Sequence, residues 1–167
     1  MTTNLNTTLL LQILPLATST ATLAHALLEL HTTSAFLIPN IRTASNTILP
    51  TWFRRVFNRA VITVVGLNMT TIVTAATTLY LDSSRNELRT TRFYWMGILG
   101  AIGHLAFVPL VAGPVKQVVD NQNRREKGKE GDSASAWMAK WVGVHRVRML
   151  VADLPAWISF LGAVLTL

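Results

Sequence analysis

Four long apolar segments, roughly 9–38, 59–81, 93–119 and 137–167, account for most of this chain and leave only short polar stretches between them. Each is long enough to cross about 30 Å of hydrocarbon as an α-helix. In lipid every backbone amide must find its partner inside the protein, so only helices or a closed barrel can span. The roughly ten-residue alternation of a membrane barrel is missing. The expected fold is therefore an all-α membrane protein, a four-transmembrane-helix bundle. With 167 residues, half of them hydrophobic, the chain is expected to form a single domain over 1–167.

The first segment reads as a mature helix, because no Lys or Arg precedes it and it runs on through His25 and Glu29 without a small-residue cleavage pattern. No cysteine is present, which excludes disulfides, thiolate metal ligands and a cysteine nucleophile. Net charge +7 raises the question of nucleic acid. The basic residues, however, sit in loops: Arg42, Arg54 and Arg55 in 39–58, and Lys116, Arg124, Arg125, Lys127 and Lys129 in 116–136. That is a positive-inside pattern, with membrane lipid and not nucleic acid as the expected partner. Only Arg85, Arg89 and Arg92 mark the second loop, and nothing basic precedes Leu9. This bias puts both termini on the non-cytoplasmic face, and the endoplasmic reticulum is the expected membrane for a multi-pass protein of this type. The third loop mixes signs and reads as a solvated, mobile linker. Trp52, Trp95, Trp137 and Trp141 near segment ends suit headgroup anchoring. Pro15, Pro109, Pro114 and Pro155 should kink or end helices locally. Gly97, Gly100 and Gly103 offer a small face for close packing.

Against this apolar background stand nine polar side chains: His25, Glu29, Asn58, Arg59, Asn68, His104, His145, Arg148 and Asp153. Lipid tails cannot solvate them, so each needs a protein partner or a wet cavity. At about 1.5 Å per residue they cluster in the cytoplasmic half and middle of the bundle, with Glu29 roughly 14 Å deep. His25 and Glu29, four apart, share a helix face. His145 and Arg148 are three apart, and Asp153 lies about 80° from His145 around an α-helical axis. Arg146 is nearly in phase with Asp153, so the inward arginine stays open. Plausible pairs are Glu29 with Arg148 or Arg146, and Asp153 with a histidine of another helix. Asn and His can serve as interhelical glue worth about 1 kcal/mol, but nine such groups point to a polar pocket.

Three histidines with Glu29 or Asp153 are potential iron or zinc ligands, yet no HxxxH or ExxH spacing supports a metal, and none is expected. Acid–base chemistry asks for less. One imidazole takes a proton, a carboxylate sets its tautomer, and Arg148 or Asn68 stabilises the developing anion in a dry site. Ser19, Ser34 and Ser159 lack a nucleophile elbow.

The run Trp141-Val-Gly-Val-His145-Arg146-Val-Arg148-Met, followed by Asp153-Leu-Pro-Ala-Trp, resembles the closing helix of small fungal anthrone-oxygenase-like membrane proteins. His31-Thr-Thr-Ser-Ala-Phe-Leu-Ile-Pro39 and the pair Asn58-Arg59 are similar to that family's pattern as well. The resemblance covers essentially the whole chain. It implies an enzyme of aromatic-polyketide biosynthesis that oxygenates a lipophilic substrate without metal or flavin, with dioxygen as co-substrate. It further implies His145 as base, oriented by Asp153 or Glu29, and Arg148 and Asn58 holding phenolate and ketone oxygens; Arg59, Asn68, His25 and His104 complete the expected site. His104 departs from the family pattern, as a changed substrate would require.

Two other readings use the same residues. One is a redox-neutral cyclase or isomerase acting on a polyketide or terpenoid hybrid. The other is a non-catalytic bundle serving as a scaffold or transporter subunit. Contact with other pathway enzymes, or self-association, is expected of either kind of membrane bundle.

Overall fold

The computed structural model describes residues 2–81, 88–126 and 133–167. Among them no strand occurs, and the order is α1 (Thr2–Ala35), a 3-10 turn (Pro39–Ile41), α2 (Arg42–Leu81), α3 (Leu88–Ala106), α4 (Val108–Glu126), α5 (Ala134–Arg148), a π-turn (Met149–Asp153) and α6 (Leu154–Val164). Four stretches are long and apolar enough to cross a membrane: Thr7–Ala35, Pro39–Leu81, Leu88–Asn121 and Ala134–Val164. The fold is all-α, with the spans of a four-helix membrane bundle.

Element boundaries depart from the sequence pattern in three places. The second helix begins at Arg42, so the stretch expected to be a loop over 39–58 is largely helical. Leu49, Phe53 and Phe57 recur every four residues, and the first two are buried, while Arg54 and Arg55 stay exposed. That is an amphipathic stripe, read from the charges as a loop because the arginines occupy its outer face. The third segment is interrupted at Phe107, two residues before Pro109, which cannot donate to the preceding turn. Leu110 and Val111 instead donate to the Phe107 carbonyl at 3.0 and 3.2 Å. The linker expected over 116–136 is helical as far as Glu126; its remainder, 127–132, and Arg85 lie outside the described residues.

The chain packs as two compact units, Met1–His25 with Val64–Ala106 and Arg148–Leu167, and Ala26–Thr63 with Phe107–Val147. In the first unit α3 and α6 lie very close. A Cβ on Gly97 would come within 2.5 Å of the Phe160 ring, and one on Gly100 within 2.8 Å of the Ala156 Cβ. The small face thus lets Tyr94, Ile98, Ala156, Phe160 and Ala163 close into one core with Ala75. Hydroxyls tie α1 into the same unit: Thr18 to Thr71 at 2.7 Å, Thr78 to the Leu11 carbonyl at 3.0 Å and Tyr94 to the Gln12 carbonyl at 2.8 Å.

The second unit is built on bulkier side chains. Leu49, Phe53, Val111, Val118, Met138, Trp141 and Val142 form its core, with the Phe53 and Trp141 rings edge to face at 5.6 Å. Trp141 is therefore a core residue and no interfacial anchor. Trp95, by contrast, is 56% exposed, as anchoring requires. The start of α5 is fixed by the Ser135 amide donating to Asn46 Oδ1 at 2.8 Å and by Arg42 Nε donating to the Ser135 hydroxyl at 3.2 Å.

Candidate active site

The first unit holds a buried histidine–aspartate pair. His104, at the end of α3, places Nδ1 2.6 Å from Asp153 Oδ1, and both side chains are at most 5% exposed. Asp153 closes the π-turn, where the Leu154 amide donates to the Met149 carbonyl five residues back. The cause is local. Pro155 has no N–H for the preceding turn, so the chain widens where the α-helical ladder would lose a bond anyway.

That widening decides which side chains meet. Along a regular α-helix, Arg148 and Asp153 would point about 140° apart. A turn closed between residues five apart stacks them instead, and Arg148 Nε lies 3.5 Å from Asp153 Oδ2. Arg148 is buried and Arg146 exposed, so the inward arginine is Arg148. His25 on α1 is half-buried and close enough to Arg148 and His104 to interact with their charge. One carboxylate thus faces a permanent cation and an imidazole.

In the tautomer that donates Nδ1–H to Asp153 Oδ1, the ring's lone pair is on Nε2. When that nitrogen takes up a proton, an imidazolium and a guanidinium stand together in a site shielded from water, where charge interactions are strong. Chemically, such an arrangement can act as a base coupled to an anion stabiliser. Among the described residues no three His, Asp or Glu side chains converge as a metal ion would need.

Asn68, buried on α2, donates Nδ2 to the Val64 carbonyl at 3.1 Å. It lines a cavity of about 10 Å³ with Ser19, Thr22, Thr71, Ala101, Asp153 and Ala156. Sequence reasoning missed Ser19, Thr22 and Thr71. The available signal was the recurrence of hydroxyls at three- and four-residue spacing, Thr18 and Thr22 on α1 and Thr71, Thr74 and Thr78 on α2, which marks one polar stripe on each helix.

The second unit has its own histidine–carboxylate pair. His145 is fully buried, its ring stacked on Trp141 at 4.7 Å and 19°. Its Nε2–H donates to the Ala26 carbonyl at 2.8 Å, while Nδ1 stands 3.8 Å from Glu29 Oε2, beyond hydrogen-bond reach. His145, expected as the base, has one nitrogen committed to backbone and one face covered by indole. The carboxylate expected to orient it, Asp153, is bonded to His104. Asn58 and Arg59, expected to hold substrate oxygens, are exposed on α2.

Comparison with known proteins places this geometry in context. The chain is 32% identical over 162 residues to the epoxidase pydX of an Acremonium species, covering 93% of each protein. It is 30% identical over 155 residues to the epoxidase gkaX of Penicillium citrinum, covering 92% of each. A third relative, scpX of Mollisia scopiformis, is 29% identical over 159 residues. No family model matches the chain, and no solved structure matches it.

Proposed function

This chain belongs to the family of the fungal epoxidases gkaX and pydX, a family of secondary-metabolism enzymes, and from that premise we propose that it is an integral membrane oxygenase forming an epoxide on a lipophilic secondary metabolite. The observation that carries the reading is the buried His104–Asp153 contact of 2.6 Å with Arg148 beside it, in spans of membrane length. The relatives' names favour oxygen transfer over redox-neutral cyclisation or a scaffold.

Dioxygen is the proposed co-substrate. One oxygen atom bridges the two carbons of a double bond, the other leaves as water, and two electrons and two protons complete the balance. A substrate bearing a hydroquinone supplies both: its two O–H groups become the carbonyls of a quinone, one of whose double bonds carries the epoxide. His104 Nε2 removes its acidic proton, Asp153 holds the ring in the tautomer that allows this, and Arg148 stabilises the resulting oxyanion. The electron-rich anion then reduces dioxygen directly, so no metal or flavin is required. Oxygenation of an anthrone, the reaction implied by the family resemblance, likewise starts from an electron-rich anion. The proposed roles of His25, Asn58, Arg59, Glu29 and His145 lie outside proton transfer.

We further assign both termini to the non-cytoplasmic face of the endoplasmic reticulum, on the basic residues of the first and third interhelical stretches, where other enzymes of an aromatic-polyketide pathway would deliver the substrate. The test uses membranes containing the protein, a lipophilic hydroquinone, and ¹⁸O₂. The expected result is one ¹⁸O atom in the epoxide, with product abolished by His104→Ala. Turnover that continues undiminished under argon would refute the oxygenase.

A further inference from the structure

The cavity beside Asp153 takes no part in the steps above. At about 10 Å³ it has the size of one water molecule and far less than a lipophilic substrate needs. Five of the seven residues around it carry polar side-chain atoms, Ser19, Thr22, Asn68, Thr71 and Asp153, beside Ala101 and Ala156. The Ser19 and Thr22 hydroxyls donate to the carbonyls of Leu16 and Thr18 at 3.0 and 3.1 Å, so their oxygens keep lone pairs for an incoming donor. Asn68 uses one amide hydrogen on Val64 and has a second. Asp153 Oδ2 is buried without a hydrogen-bond partner among the described residues, Arg148 Nε standing 3.5 Å off. A buried carboxylate oxygen of this kind calls for a donor.

We propose that this cavity binds one water molecule, which donates to Asp153 Oδ2 and to a hydroxyl oxygen of the wall and accepts the second Asn68 amide hydrogen. Three polar partners are what a buried water ordinarily makes. Dioxygen is of similar size but could use none of them, so the lining selects water. The role is positional. Water on Oδ2 stops the carboxylate from rotating, keeps Oδ1 on His104 Nδ1 and thereby preserves Nε2 as the base. Asn68 is then a positioning residue that acts through water and Asp153. The effect on turnover rests on the function proposed above; the water site does not.

Solid-state NMR of isotope-labelled protein in liposomes tests the site without any substrate. Water-proton magnetisation is expected to reach the Asp153 carboxyl carbon and the Asn68 side-chain nitrogen in the parent. Transfer to Asp153 should be lost in Asn68→Leu, which replaces the amide oxygen and nitrogen by two larger methyl groups and so fills the cavity and removes its donor. Ser19→Val fills it from α1 and should give the same loss if the first variant does not assemble. Absence of transfer in the parent, or full transfer in both filled variants, overturns the site. With turnover as readout, Asn68→Leu should lower kcat about tenfold at constant KM, the weight of one hydrogen bond to a charged group; an unchanged kcat overturns the positional role. A parent that shows the water signal yet makes no epoxide upholds the site and refutes the proposed reaction instead.

Discussion

Each of the two packing units contains a histidine beside a carboxylate, and the two pairs are built for different ends. His104 and Asp153 meet at 2.6 Å, next to a polar cavity and an arginine. His145 and Glu29 stand 3.8 Å apart, with the imidazole pinned by a backbone carbonyl and an indole. The first pair leaves a nitrogen for chemistry, and the second uses the ring to join α5 to α1. Residue type was the same in both cases; commitment of the ring nitrogens separates them. An intramembrane histidine is a functional residue by default; what separates these two is how each ring is held, His145 by a backbone carbonyl and an indole and His104 by a carboxylate.

Substitution of the two carboxylates breaks or confirms this contrast most directly. Asp153→Asn is expected to lower kcat about 10³-fold while the protein still assembles, because the amide cannot enforce the His104 tautomer. Glu29→Gln should leave kcat near the parent value. Equal losses in the two variants, measured on the same hydroquinone substrate, would erase the distinction.

The histidines give the complementary result. His145→Ala removes a buried hydrogen bond and the stack on Trp141, and should destabilise the fold by about 3 kcal/mol, read from unfolding in mixed micelles. The fraction that remains folded should turn over normally. His104→Ala should do the reverse, abolishing turnover at a smaller loss of stability.

Pro155→Ala sharpens the comparison at the level of backbone. Restoring an N–H allows the π-turn to relax to α-helix, which swings Asp153 away from Arg148 and should cost about tenfold in kcat through misplacement of the carboxylate. A parent-like rate would show that the widened turn has no bearing on the site.

The smallest effects concern packing. Gly97→Ala, whose Cβ would meet the Phe160 ring at 2.5 Å, should destabilise by about 1–3 kcal/mol through overpacking. Gly143 in the second unit has nothing within 4 Å of its Cβ position, and Gly143→Ala should change stability by no more than about 1 kcal/mol, in the favourable direction set by helix propensity.

Much of this was legible before any coordinates. The four spans follow from length and hydropathy, the close α3–α6 approach follows from Gly97, Gly100 and Gly103, and an Asp153–histidine pair from another helix was one of the pairings the helical phases allowed. The choice among histidines was not legible, because His25, His104 and His145 carry the same chemistry and differ only in what neighbours do to their nitrogens. The helical segment from Arg42 was obscured by arginines that decorate the outside of an amphipathic stripe. The exposure of Asn58 and Arg59 on α2 was not legible either, because sequence shows which residues are polar but not which way the second helix turns them.

The order of amino acids alone determined that this chain is helical and lives in lipid, since an unpaired backbone amide is too costly there for any other solution. It also determined that several polar groups must be accommodated within that helical frame. Only tertiary structure decided which of them share a site. The deciding element is one widened turn ahead of Pro155, which stacks Arg148 with Asp153, side chains that regular helical phase holds on different faces, and brings Asp153 to His104 across the glycine-lined seam between α3 and α6. Pro155 marks that turn in the sequence, but what the turn brings together depends on how two helices pack, which the spacing of residues along one of them does not show.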